Sequence, residues 1–247
     1  MNLAGQGSWV RRYMEEQHGI RQFTLVNSHW HADHIAENHV YADGNIIAHE
    51  DTRRLMLEHR DKLENGERAS VPPFNVVLPN ITFKGRLDLW CGKAKVELHE
   101  FTIHEHGHIA SYLPEQKTLL AADMLEDPIW IFEFDFAPPS IQVAELKRMA
   151  DMDLEHIYPT HGDLDTIRHG GYGKEFVRNS IDYLERMIAA SKSQTETFAD
   201  LPASEFIADK LNAGELHWWQ PYEEVHAINK RTILSLALQS AARETES

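Results

Sequence analysis

Apolar residues along this chain follow two rhythms. Between residues 75 and 123 they come in short bursts with a period near two: "NVVLP", "ITFKG", "RLDLW", "AKVELHEFTIH", "IASYLP" and "KTLLAAD". Pro, Gly, Asn and Lys-containing turns separate them, so the stretch predicts strands. "RQFTLVN" (21–27) and "NIIAHE" predict two earlier strands, and "HIYPTHGD" a later one running into a loop. The other rhythm is helical. Residues 8–18 predict a short helix stopped by Gly19, and "HIAENHVYADG" a helix turning into a loop at Gly44. "DTRRLMLEHRDKLENG" predicts a helix capped by Asp51 or Thr52 and stopped by Gly66. "ASVPPFN" reads as a loop. Further helices are expected at 140–151, about 174–192, near 202–212 and about 222–243. Strands flanked by helices imply a layered α/β domain. With no repeat or clear linker, one domain over 1–247 is expected, with a core about 20–170 and a helical extension about 171–247.

Composition narrows the class. Hydrophobic content of 42% and charged content of 26% are those of a globular chain. The formal net charge of −15 argues against nucleic acid as a partner, because phosphate binding needs clustered Lys and Arg. No apolar run approaches a membrane span, and the first residues lack the apolar stretch of a signal peptide. The single cysteine, Cys91, permits no internal disulfide and reads as a small buried hydrophobe. The expectation is a cytoplasmic protein with a small-molecule substrate.

Sixteen histidines are many, and their placement matters more than their number. "SHWHADH" (28–34) holds His29, His31, Asp33 and His34. On extended backbone His29 and His31 point the same way and can share one cation. Asp33 and His34 fall where the chain turns into a helix, so they aim at a neighbouring position. Such ligands suit zinc and also accept iron, manganese or cobalt. Each site needs a further ligand. Candidates stand at strand ends: His104 after "VELHEFTI", Asp123 after "TLLAA" and His161 after "HIYPT".

In these residues the chain resembles the metallo-β-lactamase superfamily. His-x-His-x-Asp-His is complete as His29, His31, Asp33 and His34. The distance back from Leu113-Pro114 selects His104 over His106 and His108. The aspartate closing the next strand is Asp123, preceded by Ala122 where the family usually has Gly. "PTHGD" matches Pro-x-His-Gly with His161. The resemblance implies a four-layer αββα sandwich. It implies one metal held by His29, His31 and His104, a second held by Asp33, His34 and His161, and Asp123 bridging both. Two zinc ions are expected, with iron or manganese as substitutes. Asp33 would ligate with one oxygen and orient a bridging hydroxide with the other, which makes it the catalytic residue.

The bridging aspartate resembles glyoxalase II-type thioesterases, lactonases and phosphodiesterases rather than β-lactamases proper, which carry Cys or Ser there. The implied reaction is hydrolysis of a small ester, thioester or lactone. β-Lactam cleavage is a side activity, and a mononuclear iron persulfide dioxygenase is the redox alternative. Substrate contacts are expected from His108, and from Trp130 and Phe132 in the aromatic-alternating "PIWIFEFDFAPPS". Trp218, Trp219 and Tyr222 could cover the pocket or form a subunit contact. Only 28 residues precede His29, most of them helical in pattern, where the family has several strands. Shortened or missing strands would expose a sheet edge. The expectations that follow are a homodimer covering that edge, weak stability, or a metal-binding protein with impaired catalysis.

Overall fold

The computed structural model describes residues 5–67, 71–129, 137–193 and 201–245. They form two compact units, one of Met1–Asp88, Leu98–Glu100 and Gly107–Ile109, the other of Leu89–Glu97, Phe101–His106 and Ala110–Ser247.

The first unit opens with helix α1 (Gln6–His18), which ends on Gly19 at φ +66°. Left-handed backbone of this kind is what a glycine at a helix C-terminus permits. Arg11 ties α1 down through two 2.6 Å bonds to the Asp43 carboxylate. Strand β1 (Thr24–Val26), helix α2 (Ala32–Ile35) and strand β2 (Asn45–His49) follow, then α3 (Glu50–Glu58), α4 (Arg60–Glu64) and β3 (Ile81–Phe83). The three strands make a parallel sheet in the order β1-β2-β3. As the middle strand, β2 buries Ile46, Ile47 and Ala48 in succession, as a parallel strand covered on both faces does. In α3 the buried residues Thr52, Leu55 and Met56 lie on one stripe. Its cap is the imidazole of His49, which accepts the Asp51 N–H at 3.1 Å, not Asp51 or Thr52 as the sequence suggested.

"NVVLP" is not a strand, because side chains take its backbone groups. The Val76 N–H goes to Glu64 Oε1 (3.1 Å). The Val77 carbonyl accepts from Asn38 Nδ2 (2.9 Å), and the Pro79 carbonyl from Arg53 Nε (3.0 Å).

A second sheet has the order β4 (Arg86–Cys91), β5 (Ala94–Ile103), β6 (Glu105–Leu113), β7 (Thr118–Ala122) and β8 (His156–Pro159). β6 and β7 run antiparallel, β7 and β8 parallel. Helices α5 (Pro139–Ala150), α6 (Leu164–Arg168), α7 (Glu175–Ser193), α8 (Ala203–Phe206), α9 (Ala208–Ala213) and α10 (Tyr222–Thr245) belong to the second unit. Its core joins Phe101, Ile103, Leu119, Ala121 and Ile157 of the strands to Leu146, Met149, Phe176, Leu184 and Met187 of the helices. Cys91 is exposed, contrary to expectation. It closes β4, which lies at the sheet edge with alternate residues in solvent.

Among the described residues no helix is long and apolar enough to cross a membrane. The mixed α/β class expected from the strand and helix rhythms is the one observed.

Candidate metal centre

The β1 ladder runs out one residue past the strand, where the Asn27 N–H still reaches the Ile47 carbonyl (2.9 Å). The buried amides of Asn27 and Asn38 bond each other reciprocally at 2.8 and 3.0 Å and lock the loop that begins there. Side chains then alternate. Trp30 turns into the core and stacks on His59 at 4.7 Å, while His29 and His31 turn the other way. Ser28 Oγ lies 3.0 Å from His29 Nδ1, which leaves Nε2 for a ligand role. That Nε2 is 3.0 Å from His31 Nδ1. Two imidazole nitrogens sharing a tetrahedral zinc at ordinary Zn–N lengths stand about 3.3 Å apart. Asp33 and His34 sit in the first turn of α2, with Asp33 Oδ2 3.3 Å from His34 Nε2.

The remaining three candidates stand at strand ends. His104 follows β5, is buried, and has a left-handed backbone at φ +69°. Its N–H reaches Gln142 Oε1 at 3.3 Å. Asp123 follows β7, where the β7–β8 register shifts between Leu120 and Ala122. Ala122 is also left-handed, at φ +48°. This explains the family's glycine at the position, since a Cβ is costly there. His161 follows β8, and its Nε2 lies 3.5 Å from Asp123 Oδ2.

The residues able to hold a metal ion are His29, His31, Asp33 and His34 in the first unit and His104, Asp123 and His161 in the second. Imidazoles and carboxylates are donors that divalent zinc, iron or manganese accepts.

His108 is buried and stacks on His29, with centroids 4.3 Å apart, but is not among the residues able to hold a metal ion. Trp130 and Phe132 lie outside the described residues.

One arrangement escaped the sequence reading. Asp127 and His217 are 90 positions apart, yet Asp127 Oδ1 accepts the His217 N–H at 2.6 Å and Oδ2 lies 2.7 Å from His217 Nδ1. The Tyr172 hydroxyl donates to Asp127 Oδ2 at 2.8 Å. Burial pushes the Asp127 carboxyl up from its ordinary value, against the pull of the bonds from His217 and Tyr172. Asp127, His217, Trp218, Trp219 and Tyr222 line a cavity of about 360 Å³ together with His161. The aromatic run "HWWQPY" was the only sequence signal for it, and it did not point to Asp127.

The metallo-β-lactamase superfamily model matches residues 15–161. A comparison with curated proteins finds no match. Solved structures similar to this chain include a metallo-β-lactamase from Pontibacter korlensis, with 16% identity, 72% of this chain and 76% of that one covered, and a TM-score of 0.58. The DIM-1 metallo-β-lactamase gives 16% identity, 72% and 74% coverage and a TM-score of 0.56. The IND-7 metallo-β-lactamase gives 12%, 73%, 77% and 0.55. At these identities the likeness is one of fold.

Proposed function

This chain belongs to the metallo-β-lactamase superfamily, and from that premise we propose that it is a hydrolase of small esters, thioesters or lactones working with two divalent cations, zinc foremost. The observation that supports this reading is the set of seven His and Asp residues able to hold a metal ion. His29, His31 and His104 would hold one cation and Asp33, His34 and His161 the other, with a carboxylate oxygen of Asp123 for each. Bound divalent cations of this kind bring the pKa of water toward neutrality and polarise a carbonyl oxygen.

The chain's own groups do the rest. Ser28 fixes the His29 ring and so the edge it presents. The left-handed turn at Ala122 aims Asp123 out of β7. Asp33, partly exposed beside His34, would orient the attacking water. His108, packed on His29, would help hold that ring in place. An aspartate at the shared position, rather than Cys or Ser, ranks esters, thioesters and lactones ahead of β-lactams.

Elemental analysis paired with a substrate panel tests the reading. The expected result is about two zinc per chain and turnover of at least one ester, thioester or lactone. One iron per chain, or a metal-loaded protein inert toward esters, thioesters, lactones, β-lactams and phosphodiesters, would remove it.

A further inference from the structure

The cavity beside His161 has a polar floor with a fixed hydrogen-bonding sense. The Tyr172 hydroxyl accepts the Asp163 N–H at 2.6 Å, so its own proton points to Asp127 Oδ2. Asp127 Oδ1 takes the backbone N–H of His217. With donors on both carboxylate oxygens, Asp127 is an acceptor, and the 2.7 Å contact to His217 Nδ1 is an Nδ1–H donated to it. In the neutral ring Nε2 then carries a lone pair, on the edge opposite Asp127. Trp218 and Trp219, 39% and 58% exposed, line the same cavity, and the Trp219 ring lies 5.4 Å from that of Tyr222.

An oriented imidazole acceptor beside indole rings suits a flat ring bearing a donor. We propose that His217 is a specificity residue whose Nε2 accepts a hydrogen bond from a hydroxyl or N–H carried on a planar ring of the substrate, with that ring against Trp218 and Trp219. Asp127 is its positioning residue. The inference rests on the hydrolase reading for its biological sense, since His161 at the cavity wall sets the ring next to the reacting bond. The cavity, about 360 Å³, is near the lower end of small-molecule sites.

Binding tests it without turnover. The full chain with its metals is titrated by ligand-observed NMR with 4-methylphenol, with 4-methylanisole, which lacks the donor, and with cyclohexanol, which lacks the flat ring. The phenol should bind about tenfold more tightly than either of the others. His217→Ala should erase the difference between phenol and anisole, and Trp219→Ala should weaken both. Equal binding of phenol and anisole to the unaltered protein would overturn the proposal, whatever the variants do. So would a preference that survives in His217→Ala. A substrate panel that fails while the phenol preference stands removes the hydrolase reading and leaves the ring site. A panel that succeeds without the preference removes the ring site alone.

Discussion

Asp123 Oδ2 lies 3.5 Å from His161 Nε2, and on the proposed function the same carboxylate would serve both metal sites, so its loss should cost both. Asp123→Ala is expected to retain less than one metal equivalent after dialysis and to lose hydrolysis by about 100-fold or more, beyond the penalty typical of a partner behind a ligand. His161→Ala should keep about one equivalent. Metal analysis of both variants checks this, and equal retention by the two would contradict it.

The turn that presents Asp123 is strained. Ala122 holds φ at +48°, a region that costs a residue with a Cβ about 1–2 kcal/mol. Ala122→Gly relieves that strain while loosening the unfolded chain. The net gain should be roughly 0.5–1 kcal/mol, read as a rise of about 1–4 °C in Tm for a domain of this size. Ala122→Val should lower Tm.

Gly107 is required for a different reason. It has φ +72°, and a Cβ there would meet His49 Nδ1 at 2.4 Å and Asp51 Cβ at 3.0 Å. His49 is buried and caps α3, so it cannot step aside without releasing the Asp51 N–H. Gly107→Ala should therefore destabilise the protein by about 2–3 kcal/mol in denaturant unfolding. It should also disturb the adjacent His108–His29 stack.

His226 gives the pH dependence a definite sign. Burial holds its pKa down at about 4, with Lys230 adding to the effect and Glu223 opposing it. Its Nδ1 lies 2.8 Å from the Tyr183 hydroxyl, which also accepts from Asn229 at 2.9 Å. The Tyr183 proton thus points at a neutral imidazole. The folded state binds this proton less readily than the unfolded chain, whose histidines titrate near ~6.5. Stability from this group is full above that value, falls as pH drops through it, and levels off near the folded pKa. Between pH 7.5 and 4.5 the loss should be on the order of 2 kcal/mol. His226→Gln should show a shallower decline than the unaltered protein. Parallel declines in unfolding free energy would sink the assignment.

Much of this was legible because three of the candidate ligands stand at strand ends in a fixed order. A period-two run followed by His or Asp marks both the strand and the position where its backbone stops pairing. β5 into His104, β7 into Asp123 and β8 into His161 all read this way. What failed to read was tertiary competition for backbone groups. Residues 75–79 have the apolar pattern of a strand, but Glu64, Asn38 and Arg53 take their donors and acceptors. Cys91 looked buried because a sequence does not say which strand ends a sheet. Asp127 left no trace, and the aromatic run that begins at His217 did not reveal its partner, since nothing in local spacing ties residues so far apart.

The most direct measurement is anomalous scattering at the zinc edge from crystals of the metal-loaded protein. The account predicts two peaks about 3.5–4 Å apart. One should be flanked by His29, His31 and His104, the other by Asp33, His34 and His161, with Asp123 touching both. A single peak, or a pair of peaks away from Asp123, would contradict it.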